Sequence, residues 1–334
     1  MTANKNFKRR VRARAAKTGQ SYTTALRHFR QAPAGDLMAE PKQLRLAVAQ
    51  TILREDPRDS AGLRDSGRDI RRLMREAHEA GAALVHFPEG VTCSPHKRVM
   101  SVEGPDKVGP ADWNRFEWNV LRQELAAIAE AARELRLWTV LGSVHRLTPP
   151  HRPHNSLYVI SDRGEVVTRY DERMLSNTKV THMYTPGSAP VTFGIDGLRF
   201  GLLLGMEVHF PELFIEYERL DVDCVLFSTA GPGRQTDDGS FATQAQAHAA
   251  TNSYWVSYAG PAQDAVSGAP SGVISPAGRW VARCIEDGKP SMTIVDLDSG
   301  PRNFARLCRR TARSGVYDPH FVQDDHRSDD RRVF

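Results

Sequence analysis

Between residues 44 and 141 the chain passes twice through the same succession of patterns, and that repetition limits what it can become. Leu44, Leu46 and Val48 alternate as a strand does, and Leu63, Ile70, Leu73, Met74 and Ala77 then fall on one face of a helix that Gly81 ends. The apolar run 83–87 gives a second strand. Phe116, Leu121, Leu125, Ile128 and Leu135 form another helical face, and residues 138–141 a third strand. Strand, helix, strand, twice over, calls for sheets covered by helices, because each sheet has an apolar face to bury. Strand patterns dominate afterwards, at 156–160, 166–170, 198–204, 224–228, 255–258, 273–274, 280–284 and 292–295. A chain of 334 residues with 40% hydrophobic content can bury such a core as one main domain with appendages.

Several short motifs sit at the ends of these strands. Phe87-Pro88-Glu89-Gly90 closes the second strand. His154-Asn155-Ser156-Leu157 opens a strand followed by a Gly164 turn, and Tyr170-Asp171-Glu172-Arg173-Met174-Leu175 closes the next one. Tyr184-Thr185-Pro186-Gly187 reads as a turn. The stretch from Gly201 through Gly205-Met206-Glu207-Val208-His209 to Phe214 reads as a strand, a sharp turn and a helix start, and 249–258 as a helix-to-strand junction. In this order the motifs resemble the nitrilase (carbon-nitrogen hydrolase) superfamily over roughly residues 44 to 298. That resemblance implies an α/β fold, a four-layer αββα sandwich, which usually pairs through a helical face into homodimers or larger homo-oligomers.

The resemblance also implies a site. The family attacks an amide or nitrile carbon with a Cys thiolate, moves protons with a Glu and stabilises the developing charge with a Lys. Glu89 matches the family's general base. The position of the Cys, two before Glu207, is Gly205, and that of the Lys, three before Leu175, is Glu172. A second family Glu normally follows the Lys by about eight residues, and Lys179, beside Val180 and Thr181, is its nearest match. Under that alignment Lys has become Glu and Glu has become Lys, which keeps the charge count and inverts the arrangement. His209, Met206 and Glu207 on the turn complete the candidate pocket, with His182 as a further ambiguous histidine.

A relocated nucleophile is the alternative. Of the four cysteines, Cys93 follows Glu89 by four residues and neighbours His96 and Lys97, whereas Cys224 and Cys284 lie in apolar strand patterns as packing thiols. Ser94 and Ser228 are weaker candidates. The cysteine spacing offers neither a disulfide framework nor a metal site, and His151 and His154 are the only close histidine pair, so no metal and no cofactor is expected. No apolar run reaches membrane-spanning length and no signal core opens the chain, so a cytoplasmic protein without membrane contact is expected.

Residues 1–43 carry ten Lys or Arg against Asp36 and Glu40, a balance of +8 in a chain whose total is +5. The basicity is therefore local. Helices over 7–17 and 22–29, separated by a turn at Thr18-Gly19-Gln20, would form a basic hairpin followed by a linker at 32–35. Lys8, Arg9, Arg10, Arg12 and Arg14 make residues 5–30 a candidate contact for nucleic acid or another acidic partner. Phe7, Val11, Tyr22, Leu26 and Phe29 equally suit a docking arm. The resulting organisation is an extension at 1–43, a sandwich domain at 44–300 and a charged tail at 301–334.

Two functions follow. The first is a homologue with a degenerate site that binds a small molecule or partner, or has been turned to another reaction. The second is a working carbon-nitrogen hydrolase that uses Glu89 with an unorthodox nucleophile or water; nucleic-acid binding through the arm stands behind both.

Overall fold

A computed structural model describes residues 42–231, 240–262, 269–299, 304–322, 325–329 and 332. The expected basic hairpin, its linker and its nucleic-acid candidates Lys8, Arg9, Arg10, Arg12 and Arg14 lie outside the described residues.

The chain begins with strand β1 (Gln43–Gln50) and helix α1 (Ser60–Glu79), which Asp59 caps by accepting a hydrogen bond from the Ala61 N–H. Gly81, at φ +74°, ends that helix as its pattern requires. Strand β2 (Leu84–His86), helix α2 (Trp118–Leu135) and strand β3 (Trp138–His145) repeat the unit. Strands β4 (His154–Ile160) and β5 (Val166–Asp171) complete a sheet of order β12-β1-β2-β3-β4-β5. The second half holds β6 (Thr192–Ile195), β7 (Leu198–Leu204), helix α3 (Pro211–Arg219), β8 (Cys224–Ser228), helix α4 (Ser240–Asn252), β9 (Trp255–Ala259), β10 (Gly272–Ile274), β11 (Trp280–Arg283) and β12 (Ser291–Asp298). Its sheet runs β11-β10-β9-β8-β7-β6, while β12 crosses over to pair antiparallel with β1.

Strand alternation divides the core into layers. Leu46 and Val48 point into a cluster shared with the second sheet, while Ala47 and Ala49 point the other way, onto Ile70, Leu73 and Met74 of α1 and Ile128 of α2. Leu213, Phe214 and Tyr217 of α3 and Phe241, Ala245 and Ala249 of α4 cover the second sheet. Helix, sheet, sheet, helix is the expected sandwich. Between the sheets His86 acts as a polar pin, its Nε2 2.7 Å from Ser228 Oγ and its Nδ1 2.8 Å from Ser257 Oγ.

Three details depart from the sequence reading. Helix α2 starts at Trp118, because Asp112 caps a separate short turn at Trp113–Arg115 and Phe116 leaves it extended, its ring stacked 4.3 Å from Trp118. Strand β6, too short to show a pattern, pairs at the edge with β7. The expected charged tail contains helix α5 (Phe304–Arg313), whose Arg306 is buried and whose Arg306, Arg310 and Arg313 all ion-pair with the buried Glu218 of α3. The sequence reading gave this stretch no helix; a buried carboxylate from a distant helix holds it against the domain. Among the described residues no helix is long and apolar enough to cross a membrane.

Candidate functional site

The site is built where strands of both sheets end. Glu89 follows β2, Asn155 lies in β4, Glu172 comes directly after β5, and Gly205 comes directly after β7 and opens a short 3-10 turn. Lys179 arrives on a π-helical turn, Lys179–Met183, a form frequent at functional sites.

These residues meet. The Lys179 ammonium donates to Glu89 Oε1 at 2.6 Å and to Glu172 Oε2 and Oε1 at 2.8 and 3.1 Å. Asn155 Nδ2 donates to the same two carboxylates, at 2.8 Å to Glu89 Oε1 and 2.6 Å to Glu172 Oε2. Two donor nitrogens thus alternate with two acceptor oxygens around a closed ring. The other Glu89 oxygen accepts from the Ala230 N–H at 2.9 Å, just past β8. Glu172 is fully buried, and only Lys179, whose side chain is 24% exposed, opens toward solvent.

Burial sets the electrostatics. With all three groups ionised the trio carries one excess negative charge, and both of its carboxyl groups are buried. Desolvation, reinforced by Glu89 and Glu207, raises the Glu172 carboxyl against the pull of Lys179. Desolvation would lower the Lys179 ammonium, but the two carboxylates outweigh it and raise it. Lys179 stays charged and serves as a donor, not as an amine nucleophile.

Gly205 faces this ring. Its φ is +49°, in the left-handed region, and a Cβ added to it would lie 2.9 Å from Glu89 Oε2, 3.1 Å from Glu172 Oε1 and 3.3 Å from Lys179 Nζ. The charged groups fill the space into which any side chain at 205 would project. Glu207, two residues on, is an anchor: its buried carboxylate accepts from the Tyr170 hydroxyl, the N–H groups of Arg173 and Met174, and the Leu204 N–H. It ties the turn after β7 to the loop after β5, which fixes Gly205 against Glu172. Burial raises its pKa in spite of those bonds.

The remaining candidates lie elsewhere. His209 is exposed, its ring edge-on to Phe241 at 5.0 Å, and Met206 packs against the main core. His182 sits on the Lys179 turn, its Nδ1 without a partner among the described residues. Cys93 is buried with Leu63, Met100, Phe116 and Tyr184; burial, with Asp56 and Glu55 adding to it, pushes its thiol well up, the reverse of the electropositive setting activation needs. Cys224 and Cys284 are likewise buried and raised, Cys284 to about 11. Ser228 donates its proton to the Phe87 carbonyl at 2.9 Å, so His86 Nε2 must donate to Ser228, and no base faces that hydroxyl. Among the described residues no group of three or more His, Cys, Asp or Glu could hold a metal.

Asn155 and Ala230 had not been counted as site residues. Asn155 had a signal: it keeps the spacing of Leu157 and Val159, which face the second sheet, and a polar side chain on an inward face needs a partner. Ala230 contributes only its backbone N–H, so its side chain carries no trace.

A family model described as carbon-nitrogen hydrolase matches residues 64–305. Hydrolase MT0498 and Hydrolase Rv0480c of Mycobacterium tuberculosis, from strains CDC 1551 / Oshkosh and H37Rv, are each 25% identical to the chain, covering 76% of it and 89% of their own length. Among solved structures, the NitN amidase from Nesterenkonia sp. AN1 superposes with a TM-score of 0.63 at 21% identity, over 82% of this chain and 99% of its own. A variant of that amidase, carrying the acetamide moiety of fluoroacetamide on its active site cysteine, has the same TM-score and identity over 83% and 97%. The match over most of the chain, on a sandwich of this topology, makes the protein a member of the carbon-nitrogen hydrolase family.

Proposed function

We propose that this protein does not perform the thiol-dependent hydrolysis of its family and that the Glu89–Lys179–Glu172 ring is a binding site for a small molecule. The observation that carries the reading is Gly205. Not only is the thiol missing, but the place a side chain would occupy is closed by the charged groups themselves. None of the four cysteines supplies a substitute at the ring, since three are buried with raised thiols and Cys308 lies on α5. The ring is nonetheless intact as a charged constellation, with Glu and Lys exchanged between 172 and 179, which supports a retained demand for a polar ligand at this place.

A second reading is supported by Glu89, whose carboxylate is held in place by three N–H donors and would serve as the proton acceptor. Water activated by Glu89 would then replace the thiol, and the hydrolase names of the two mycobacterial relatives favour keeping this route in the test. The experiment is ammonia release from small nitriles, amides, carbamoyl amines and ureido acids by the full chain beside Glu89→Gln. No release from any compound is the expected result. Release that vanishes in Glu89→Gln overturns the binding reading in favour of the water route.

A further inference from the structure

We propose that Arg152 and Trp113 are positioning residues of this site: from outside the Lys179 turn they hold its carbonyls, and so set where the ammonium stands between Glu89 and Glu172. The inference concerns how the ring is assembled and goes beyond the reading above, since it stands whether the ring binds or hydrolyses.

A turn this short does not supply donors for its own carbonyls. The last four carbonyls of a helix have no partner within it, and in Lys179–Met183 that is nearly the whole element. All the carbonyls of the turn are nevertheless satisfied. Lys179 O accepts from the Tyr184 N–H at 2.8 Å, and the others accept from more distant segments. Val180 O and Thr181 O take the two terminal nitrogens of Arg152 at 2.8 and 2.6 Å, His182 O takes the Ala111 N–H at 3.0 Å, and Met183 O takes the Trp113 indole N–H at 2.9 Å. Two side chains therefore shape the turn that carries Lys179.

Burial does not do the work of Arg152. Val180 is 39% exposed and Thr181 is exposed, so that edge of the turn is held by hydrogen bonds and not by packing. Arg152 is itself placed by its neighbours. Its own carbonyl accepts from Thr185 Oγ1 at 2.7 Å, the Pro153 carbonyl accepts from the Thr185 N–H at 2.9 Å, and His154 Nδ1 donates to the Thr185 carbonyl at 2.7 Å. Residues 152–154 thus grip the chain just past the turn while the guanidinium grips its middle, and a planar fork reaches two adjacent carbonyls where an ammonium would reach one. Trp113 is braced on the other side, its ring 5.4 Å from that of Tyr184. The ring of charged groups depends on this bracing, because Glu172 is fully buried and bonded to Asn155 and cannot follow an ammonium that shifts.

Acetic anhydride labelling of the full chain, read by peptide mass spectrometry, reports the placement of Lys179 without any ligand. Between two carboxyl groups the ammonium holds its proton and reacts slowly. In Arg152→Ala, and in Trp113→Phe, which removes the indole N–H and keeps a ring, Lys179 should react about tenfold faster as its ammonium gives up the proton more readily. The exposed Lys97, Lys107 and Lys289 should keep their rates, and the buried Cys224 should stay closed to iodoacetamide. Arg152→Lys, able to serve one carbonyl, should fall between Arg152→Ala and the unaltered chain. The Glu172 carboxyl, followed by NMR, should titrate higher in Arg152→Ala and Trp113→Phe, because the pull of Lys179 on it weakens. An unchanged Lys179 rate, an unmoved Glu172 titration, or Cys224 opening together with Lys179 would each overturn the proposal. None of these readouts uses a ligand or ammonia release, so they decide this assignment apart from the use of the ring.

Discussion

Lys179 Nζ lies 2.8 Å from Glu172 Oε2, and the two residues, seven apart in the chain, hold between them the charges that the resemblance placed the other way round. One ammonium thus lies between two carboxyl groups, Glu89 and Glu172, an attraction that a change of charge at either position 172 or 179 alone would not keep.

Reversing the exchange tests that statement. Glu172→Lys alone sets two ammoniums against Glu89, and Lys179→Glu alone sets three carboxyl groups together; each should cost about 3–5 kcal/mol, the usual price of breaking a buried ion pair. The double variant should recover more than half of the summed loss in urea unfolding. Additive losses would show that the two side chains do not act as a pair.

Gly205→Ala introduces a Cβ at 2.9 Å from Glu89 Oε2 on a backbone of φ +49°. The left-handed conformation costs a non-glycine residue about 1–2 kcal/mol, before any displacement of the carboxylate is added. A fall in stability of about 1–3 kcal/mol is expected, with Glu89 moved off the Ala230 N–H in a crystal structure of the variant. For the same reason Gly205→Cys should not release ammonia from amides, and release would show that the ring can yield to a side chain.

Stability should fall between about pH 4.5 and 8 on account of Glu172. Its carboxyl is raised from 4.5 to about 8 in the folded chain, so the folded state binds the extra proton in that window. The contribution is fully present below the unfolded value and is lost as the pH rises through the folded one. Glu172→Gln removes the titrating group and should flatten the profile of unfolding free energy in this range. An unchanged slope would place the proton elsewhere.

His86 works in the opposite direction at lower pH. Burial between the sheets lowers its pKa from 6.5 to about 3, so the unfolded chain takes up a proton that the folded one refuses. Stability should therefore decline as the pH falls from about 6.5 to 3, by several kcal/mol in all. Replacing His86 by Asn should abolish that part of the decline, and acid unfolding followed by tryptophan fluorescence would show it.

Exposure separates the cysteines. Cys93, Cys224 and Cys284 are buried and Cys308 is exposed. Iodoacetamide should place one adduct on the folded protein, at Cys308, and four after unfolding, read by intact mass. Early modification of Cys93 would reopen its candidacy as a nucleophile.

Much of the architecture was legible because strands and helices print their periods on the chain. Leu46 and Val48 alternate with Ala47 and Ala49, and the two sets go to different layers; Leu63 through Ala77 mark one helical face, and Gly81 its end. What carried no period was missed. The four residues of β6 are too few to show one, and the arginines of α5 read only as part of a charged tail, since nothing local announces that Glu218 lies buried opposite them.

The site divides in the same way. The sequence by itself determined which chemical groups exist at the positions that matter: a carboxylate at 89, a carboxylate at 172, an ammonium at 179 and no side chain at 205. Counting could not fix the gap before Lys179, and what the structure adds is the π-helical turn that brings its Nζ between the two carboxyl groups. Tertiary structure alone supplied the bridging amide of Asn155 and the backbone N–H of Ala230. The reason is physical: residue identity fixes what charge and hydrogen-bonding capacity a chain carries, but burial and distance fix what those capacities are worth. Both are set by segments as far apart as residues 89 and 230, which only the packing of two sheets brings together.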